Sequence, residues 1–224
     1  MQITYSKIIL LLTLFFSSVA SYADDNDNVS WYSVEYIIFK NNAIDNQNLE
    51  AWTEETFLYP SSAISLTNTP MNGFRRLKPN QLQLHGVLNR LKRLSSYKPL
   101  AHNGWVQAIA KKSPLTPIRV SMSLENETLQ GIITLHRRRF LHLDLDIQLS
   151  QQSPPVFTGH QLQNAPDIFR LKQTRRLKTG ELHYFDHPQF GVIVKIQKID
   201  PPLNNIMPSE TQQSTSLNTE IRQH

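Results

Sequence analysis

From Phe140 to Leu149 the chain reads Phe-Leu-His-Leu-Asp-Leu-Asp-Ile-Gln-Leu, with an apolar residue at every second position. Successive side chains of an extended strand point to opposite faces. Leu141, Leu143, Leu145, Ile147 and Leu149 therefore share one face, and Phe140, His142, Asp144, Asp146 and Gln148 the other. A helical period of 3.6 would scatter these five aliphatic residues around a cylinder, so only a strand buries them together. One face is leucine core. The other is polar and titratable, which suits an antiparallel sheet with one wet face.

Other stretches supply partners for that strand. Trp31 to Phe39 is aromatic and β-branched with a nearly continuous apolar end, which predicts a central strand. Glu35 interrupts it and is read as an exposed-face residue or a strand-to-strand ion pair rather than a catalytic carboxylate. Leu100 to Ile109 predicts a further strand. Ile118 to Leu124 and Leu129 to Arg137 predict a hairpin around Glu125 to Glu127, and Ile168 to Leu177 and Phe190 to Ile199 two more strands. Leu84, Leu88, Leu91 and Leu94 fall at helical spacing, which predicts an amphipathic helix from about Asn80 to Ser96, capped by Asn80, with Arg90, Lys92 and Arg93 on its polar face.

The fold class that follows is α+β: mainly antiparallel β-sheet with one amphipathic basic helix packed on one face. A long N-terminal loop spans Asn41 to Pro79, with a short helix near Leu49 to Thr56 and Trp52 read as packing onto the domain. Gln151 to Pro166 is a polar excursion. The segment 203–224 is too polar to fold alone and is expected to be a disordered tail.

Met1 to Ala23 carries Lys7, an apolar run from Ile8 to Phe16 and small residues at Ser21 and Ala23. That is the form of a secretory signal peptide cleaved after Ala23, or alternatively after Ala20. The apolar run is roughly half the ~20 residues that a membrane anchor needs. With segment 24–202 as a single domain, the mature protein is expected in the periplasm without a membrane anchor. The chain has no cysteine, which excludes disulfides, thiolate catalysis and a lipidated cysteine.

Charge is uneven. Asp24 to Pro70 holds eight acidic residues and one basic residue, whereas Met71 to Arg139 holds thirteen basic and two acidic ones. That middle section is a candidate anion-binding face. For an exported protein, wall polymer or membrane surface is a more fitting partner than nucleic acid.

The densest segment runs from Arg175 to Ile196. Arg175, Arg176 and Lys178 form a basic ramp, Gly180 a turn, and Glu181, His183, Asp186 and His187 a polar box before Pro188. His183, Asp186 and His187 are metal-ligand types, with His142, Asp144 and Asp146 as further candidates, but the spacing fits no established zinc motif. A hydrogen-bonded turn is the preferred reading of the box. Asp144 and Asp146 lie about 7 Å apart on one strand face, a pair conceivable for glycoside cleavage but close to Arg137, Arg138 and Arg139. No Gly-x-Ser-x-Gly stretch follows a predicted strand.

This last segment resembles the C-terminal signature of the CsiV family, exported peptidoglycan-binding proteins of Gram-negative bacteria. The resemblance runs from Trp31 through Ile196 in four pieces. His102, Trp105 and Gln107 match a His-x-x-Trp-x-Gln stretch after a basic helix. Arg138 to His142 match an Arg-Tyr-Leu-His type motif, with Phe140 in place of the usual tyrosine.

The resemblance implies a non-enzymatic module, with neither cofactor nor metal, that binds peptidoglycan and supports cell shape. It further implies promotion of a class A penicillin-binding protein through its outer-membrane lipoprotein activator. Stem-peptide carboxylates call for guanidinium or ammonium groups and sugar rings for aromatic faces. The ligand-binding candidates are therefore Arg137, Arg138, Arg139, Arg175, Arg176, Lys178, Trp105 and Tyr184, with Phe185 as a further ring and His183, Asp186 and His187 from the box. The alternatives are a metal-dependent peptidoglycan hydrolase using that box and an adaptor that binds only protein.

Overall fold

A computed structural model describes residues 29–43, 56–67, 73–110, 113–152, 156–158, 161–163 and 166–202. The expected leader, the helix near Leu49 with Trp52, and the C-terminal tail lie outside these residues.

Two antiparallel sheets face each other. The first has the order β10-β11-β1-β3-β2, from Leu182–His187 (β10), Phe190–Ile199 (β11), Ser30–Asn41 (β1), Tyr97–Ile109 (β3) and Phe74–Arg76 (β2). The second has the order β4-β5-β6-β9, from Ile118–Ser123 (β4), Glu127–Arg137 (β5), Leu141–Gln151 (β6) and Asp167–Arg176 (β9). Inside the excursion between β6 and β9, Val156–Thr158 (β7) pairs with Gln161–Gln163 (β8) as a separate ribbon that the polar composition did not suggest.

The alternation in β6 does what its pattern requires. Leu143, Leu145, Ile147 and Leu149 are buried in one cluster with Tyr32, Val34, Tyr36 and Ile38 of β1, so the leucine face packs against the first sheet. β1 is central, as its composition predicts, and pairs with β3 and β11 along its length. Its odd-numbered residues face away from that core. Ile37 and Phe39 are covered there by Leu84 and Leu91 of the helical segment, which makes a third layer.

The helix is shorter than its leucine spacing predicts. It spans His85–Arg93 (α1) and follows a 3₁₀ turn at Pro79–Gln81, so Asn80 does not cap it. Glu35 does that work from β1: its carboxylate accepts hydrogen bonds from the Gln83 N–H (2.8 Å) and the Leu84 N–H (2.7 Å). A long-range acceptor thereby replaces the local cap. Arg90, Lys92 and Arg93 occupy the last turn, where cations complement the helix macrodipole.

Polar ties hold the sheets in register. Trp105 Nε1 donates to Gln107 Oε1 (2.7 Å), and Gln107 Nε2 donates across the core to the Leu135 carbonyl (3.1 Å). At the far end, Glu127 of β5 accepts from Lys40 of β1 (2.7 Å) and Lys98 of β3 (2.9 Å). Among the described residues, no helix is long and apolar enough to cross a membrane.

Candidate functional site

The C-terminal block folds as a strand rather than as the expected hydrogen-bonded turn. Leu182 to His187 pair with Phe190 to Lys195 through a two-residue turn at Pro188 and Gln189. Strand alternation then separates the box. His183, Phe185 and His187 point one way, Leu182, Tyr184 and Asp186 the other. Phe185 is fully buried, and the His187 ring stacks on Phe190 (5.1 Å) near Phe169. On the opposite face Tyr184 stacks on Phe39 and its hydroxyl donates to Asp186 Oδ1 (2.6 Å). A Cβ at Gly191 would lie 2.7 Å from both of those rings, so glycine there permits the stack.

Each member of the box already has work to do. The ring of His183 bonds the Lys178 carbonyl (2.9 Å), and His187 Nδ1 accepts from the Gln189 N–H (3.1 Å). Burial holds the His187 imidazolium below its usual pKa, against the opposing pull of Asp186. Burial, then the Asp186 hydrogen bond and charge, push the Tyr184 phenol well above its ordinary range. Asp186 is turned away from both histidines, so the three do not converge on one point. Among the described residues no group of three or more His, Asp or Glu side chains is arranged to hold a metal ion.

The carboxylates of β6 are likewise engaged. Asp146 takes both arms of Arg170 (2.7 and 2.8 Å), and Asp144 lies 3.1 Å from His136 Nε2. This leaves no free pair poised over a bond.

The basic candidates divide into two groups. Arg175 is a structural link between the sheets: it donates to the Tyr184 carbonyl (2.7 Å) and lies over the Phe185 ring (4.7 Å). Arg137 donates to Ser30 Oγ (3.3 Å), and Lys178 pairs with Glu181 at 3.6 Å. Arg138, Arg139 and Arg176 have no carboxylate partner among the described residues. Arg139 and Arg176 both lie over the Phe140 ring, at 5.4 and 3.4 Å, and that ring is 38% exposed. Arg176 stands opposite His142 in register, and His142 stacks on His136 (5.5 Å). One end of the second sheet therefore carries unpaired guanidiniums around an accessible ring.

Trp105 is a correction. It was expected to offer a ring to a sugar, but it is 0% exposed, meets Tyr36 edge-on and spends its N–H on Gln107. Its place in the His-x-x-Trp-x-Gln stretch belongs to the core. His102 of the same stretch faces the helix layer, where its Nε2 lies 2.7 Å from Glu35 Oε1. Glu35 is buried, so its pairing across strands agrees with the sequence expectation and its exposure does not.

A second basic region has no local sequence signature. Because β2 pairs only with Trp105 to Gln107, the preceding part of β3 has a free edge facing β4. A cleft of about 560 Å³ opens there, lined among others by Tyr36, Tyr59, Arg76, Asn103, Arg119 and Ser121. It shares Arg76, His102 and Asn103 with a neighbouring cleft of about 660 Å³ that adds Arg75, Lys78 and His85. The basic bias between Met71 and Arg139 was its only trace.

A family model described as "Peptidoglycan-binding protein, CsiV" matches residues 7–199. No curated protein and no solved structure matches the chain.

Proposed function

The chain belongs to the CsiV family of peptidoglycan-binding proteins, a family that points to the cell envelope, and from that premise we propose that it works there by binding alone. In this reading the protein is exported to the periplasm by its leader and grips wall polymer without breaking a bond. The observation that carries the proposal is the Arg139–Phe140–Arg176 cluster, with Arg138 beside it: cations with no carboxylate partner among the described residues, set around an exposed ring. Guanidiniums hold stem-peptide carboxylates through paired hydrogen bonds, and the ring covers apolar sugar or peptide surface. Lys178, two residues past Arg176, extends the surface, and Arg137 and Arg175 tie the second sheet to the first beside it, while Tyr184 offers a separate exposed ring on the outer face of the first sheet.

Wall contact would place the protein beside the synthesis machinery. There it promotes a class A penicillin-binding protein through the outer-membrane lipoprotein activator of that enzyme, in support of cell shape. Many modest contacts to a repeating polymer give retention by avidity rather than by one tight site.

Sedimentation with purified sacculi tests the reading. The protein is expected in the pellet at low salt, with no muropeptides released into the supernatant. Digestion would favour a hydrolase, and a soluble protein at every ionic strength would favour an adaptor that binds only protein. Addition of the protein to a glycan-polymerisation assay containing the penicillin-binding protein and its activator tests the second step, with a higher rate expected only when the activator is present.

A further inference from the structure

The cleft between β3 and β4 lies apart from the Arg139–Phe140–Arg176 cluster, and its lining is of one sign. Arg76 and Arg119 face it, Arg75 and Lys78 line the adjoining cleft, and neither cleft has an aspartate or glutamate in its lining. Among the described residues none of these four cations has a carboxylate within ion-pair distance. Arg75 Nε is buried with no hydrogen-bond partner among the described residues.

The two guanidiniums are also held in place before any ligand arrives. Arg119 Nε donates to the Ala63 carbonyl (3.1 Å) and the group stacks on Tyr59 (4.9 Å), whose hydroxyl is anchored on the Val120 carbonyl (3.0 Å). One arm of Arg76 donates to Asn103 Oδ1 (2.8 Å), and Asn103 in turn hydrogen-bonds the buried Tyr36 hydroxyl. Each guanidinium thus keeps terminal N–H groups to offer. Fixing a long side chain in advance removes the ordering cost that weakens most surface cation contacts.

Beside these donors the half-buried Leu66 and Met122 give the lining an apolar edge, above Leu100 and Val120 of the core, and the size of the cleft falls within the range of small-ligand pockets. Planar N–H forks match a carboxylate, the adjacent apolar edge matches a small apolar side chain, and the hydroxyls of Tyr59 and Ser121 match peptide groups.

We infer that this cleft binds the carboxylate-bearing end of a short peptide, with Arg76 and Arg119 gripping the carboxylate and the apolar edge of Leu66 and Met122 receiving the neighbouring aliphatic residue. Resting on the reading that the protein binds peptidoglycan, the inference names the stem peptide, rather than the glycan, as the part this cleft recognises.

The test is titration of the ¹⁵N-labelled mature protein with a soluble disaccharide-tetrapeptide, read at the Asn103 side-chain amide and the Arg119 Nε–H. Parallel arms use a peptide-free glycan oligomer, the same muropeptide with its carboxylates amidated, and inorganic phosphate. Saturable shifts with the muropeptide alone are expected. Arg119→Gln and Arg76→Gln should each weaken it about tenfold or more, which is the loss of a charge-assisted hydrogen bond. Arg119→Lys should recover only part of the affinity, because a point charge cannot form the fork. Lys172→Gln, which removes an exposed cation of β9 outside both basic regions, should bind the soluble fragment as the wild type does.

Unchanged affinity in both Arg76→Gln and Arg119→Gln, with melting curves like the wild type, overturns the inference. So does equal binding of the amidated fragment, the glycan or phosphate. Wild-type protein that pellets with sacculi yet ignores the soluble fragment overturns the cleft assignment alone. Failure of both overturns the functional reading as well.

Discussion

Replacing Glu35 should destabilise this protein more than replacing any exposed cation discussed above, and the size of the loss can be worked from its partners. The carboxylate is buried and serves three groups at once: the Gln83 and Leu84 N–H groups and the His102 ring. Two of these donors belong to the backbone where α1 begins, and among the described residues no other is placed to satisfy them. Glu35→Ala strands all three in a site that water reaches poorly, at a cost of about 3–5 kcal/mol, less than the sum of three isolated charged hydrogen bonds because the helix entrance can relax. Glu35→Gln keeps the shape and one acceptor but turns an amide NH₂ toward a backbone donor, which costs about 2 kcal/mol. At roughly 2–4 °C per kcal/mol for a chain of this size, the melting temperature should fall by about 4–8 °C for Gln and 6–20 °C for Ala. Urea unfolding monitored by circular dichroism measures the same losses. Variants that both unfold within 0.5 kcal/mol of the wild type would refute the assignment of Glu35 as the remote cap of α1. The glutamine variant should still pellet with sacculi well below its melting temperature, since Glu35 touches no proposed ligand.

Further outcomes follow from the same geometry. Burial pushes the Tyr36 phenol from 10.0 up to about 12, against the opposing effects of Asn103 and Arg76. Stability is therefore intact below pH 10 and lost as pH rises toward 12, by roughly 2–3 kcal/mol, and Tyr36→Phe should remove that alkaline limb from a pH series of unfolding curves. Burial raises the Glu127 carboxyl but the Lys40 and Lys98 hydrogen bonds outweigh it, leaving the group below 4.5. Its contribution is present above that pH and lost as pH falls through the folded value, so Glu127→Gln should flatten the acid limb below pH 4.5. His187, held low by burial, adds stability above 6.5 that fades on acidification, a separate step that His187→Phe should abolish. Arg139→Gln/Arg176→Gln should weaken retention on sacculi with melting within about 0.5 kcal/mol of the wild type. Arg175→Gln should lower stability by about 1 kcal/mol, because it removes the link to the Tyr184 carbonyl.

The sheet was legible wherever a strand buries one face. The alternation of Phe140 to Leu149 and the apolar run after Trp31 are local patterns, and both strands stand where they were expected. Leu182 to His187 escaped because it is a short edge strand whose polar residues carry no strong period, so its histidines and aspartate resembled a turn. Trp105 was misplaced for a different reason. A strand residue faces core or solvent according to register, and the register of β3 is set by its long-range pairing with β1, which places Trp105 beside Val34 on the core face. The helix start was hidden because its cap is supplied from 48 residues upstream by Glu35. The β3–β4 cleft is the least legible feature: it comes from two sheet edges that do not pair, and only the charge bias of the middle section hinted at what lines it.

The central claim is that cationic side chains hold an acidic polymer without cutting it. Its most direct measurement is the fraction of purified mature protein retained on isolated sacculi across a salt series, with the supernatant assayed for muropeptides. Strong retention in dilute buffer, progressive release as salt screens the contacts, and a supernatant free of fragments are predicted. Retention indifferent to salt, absence of retention in dilute buffer, or fragments released by the protein alone would contradict it.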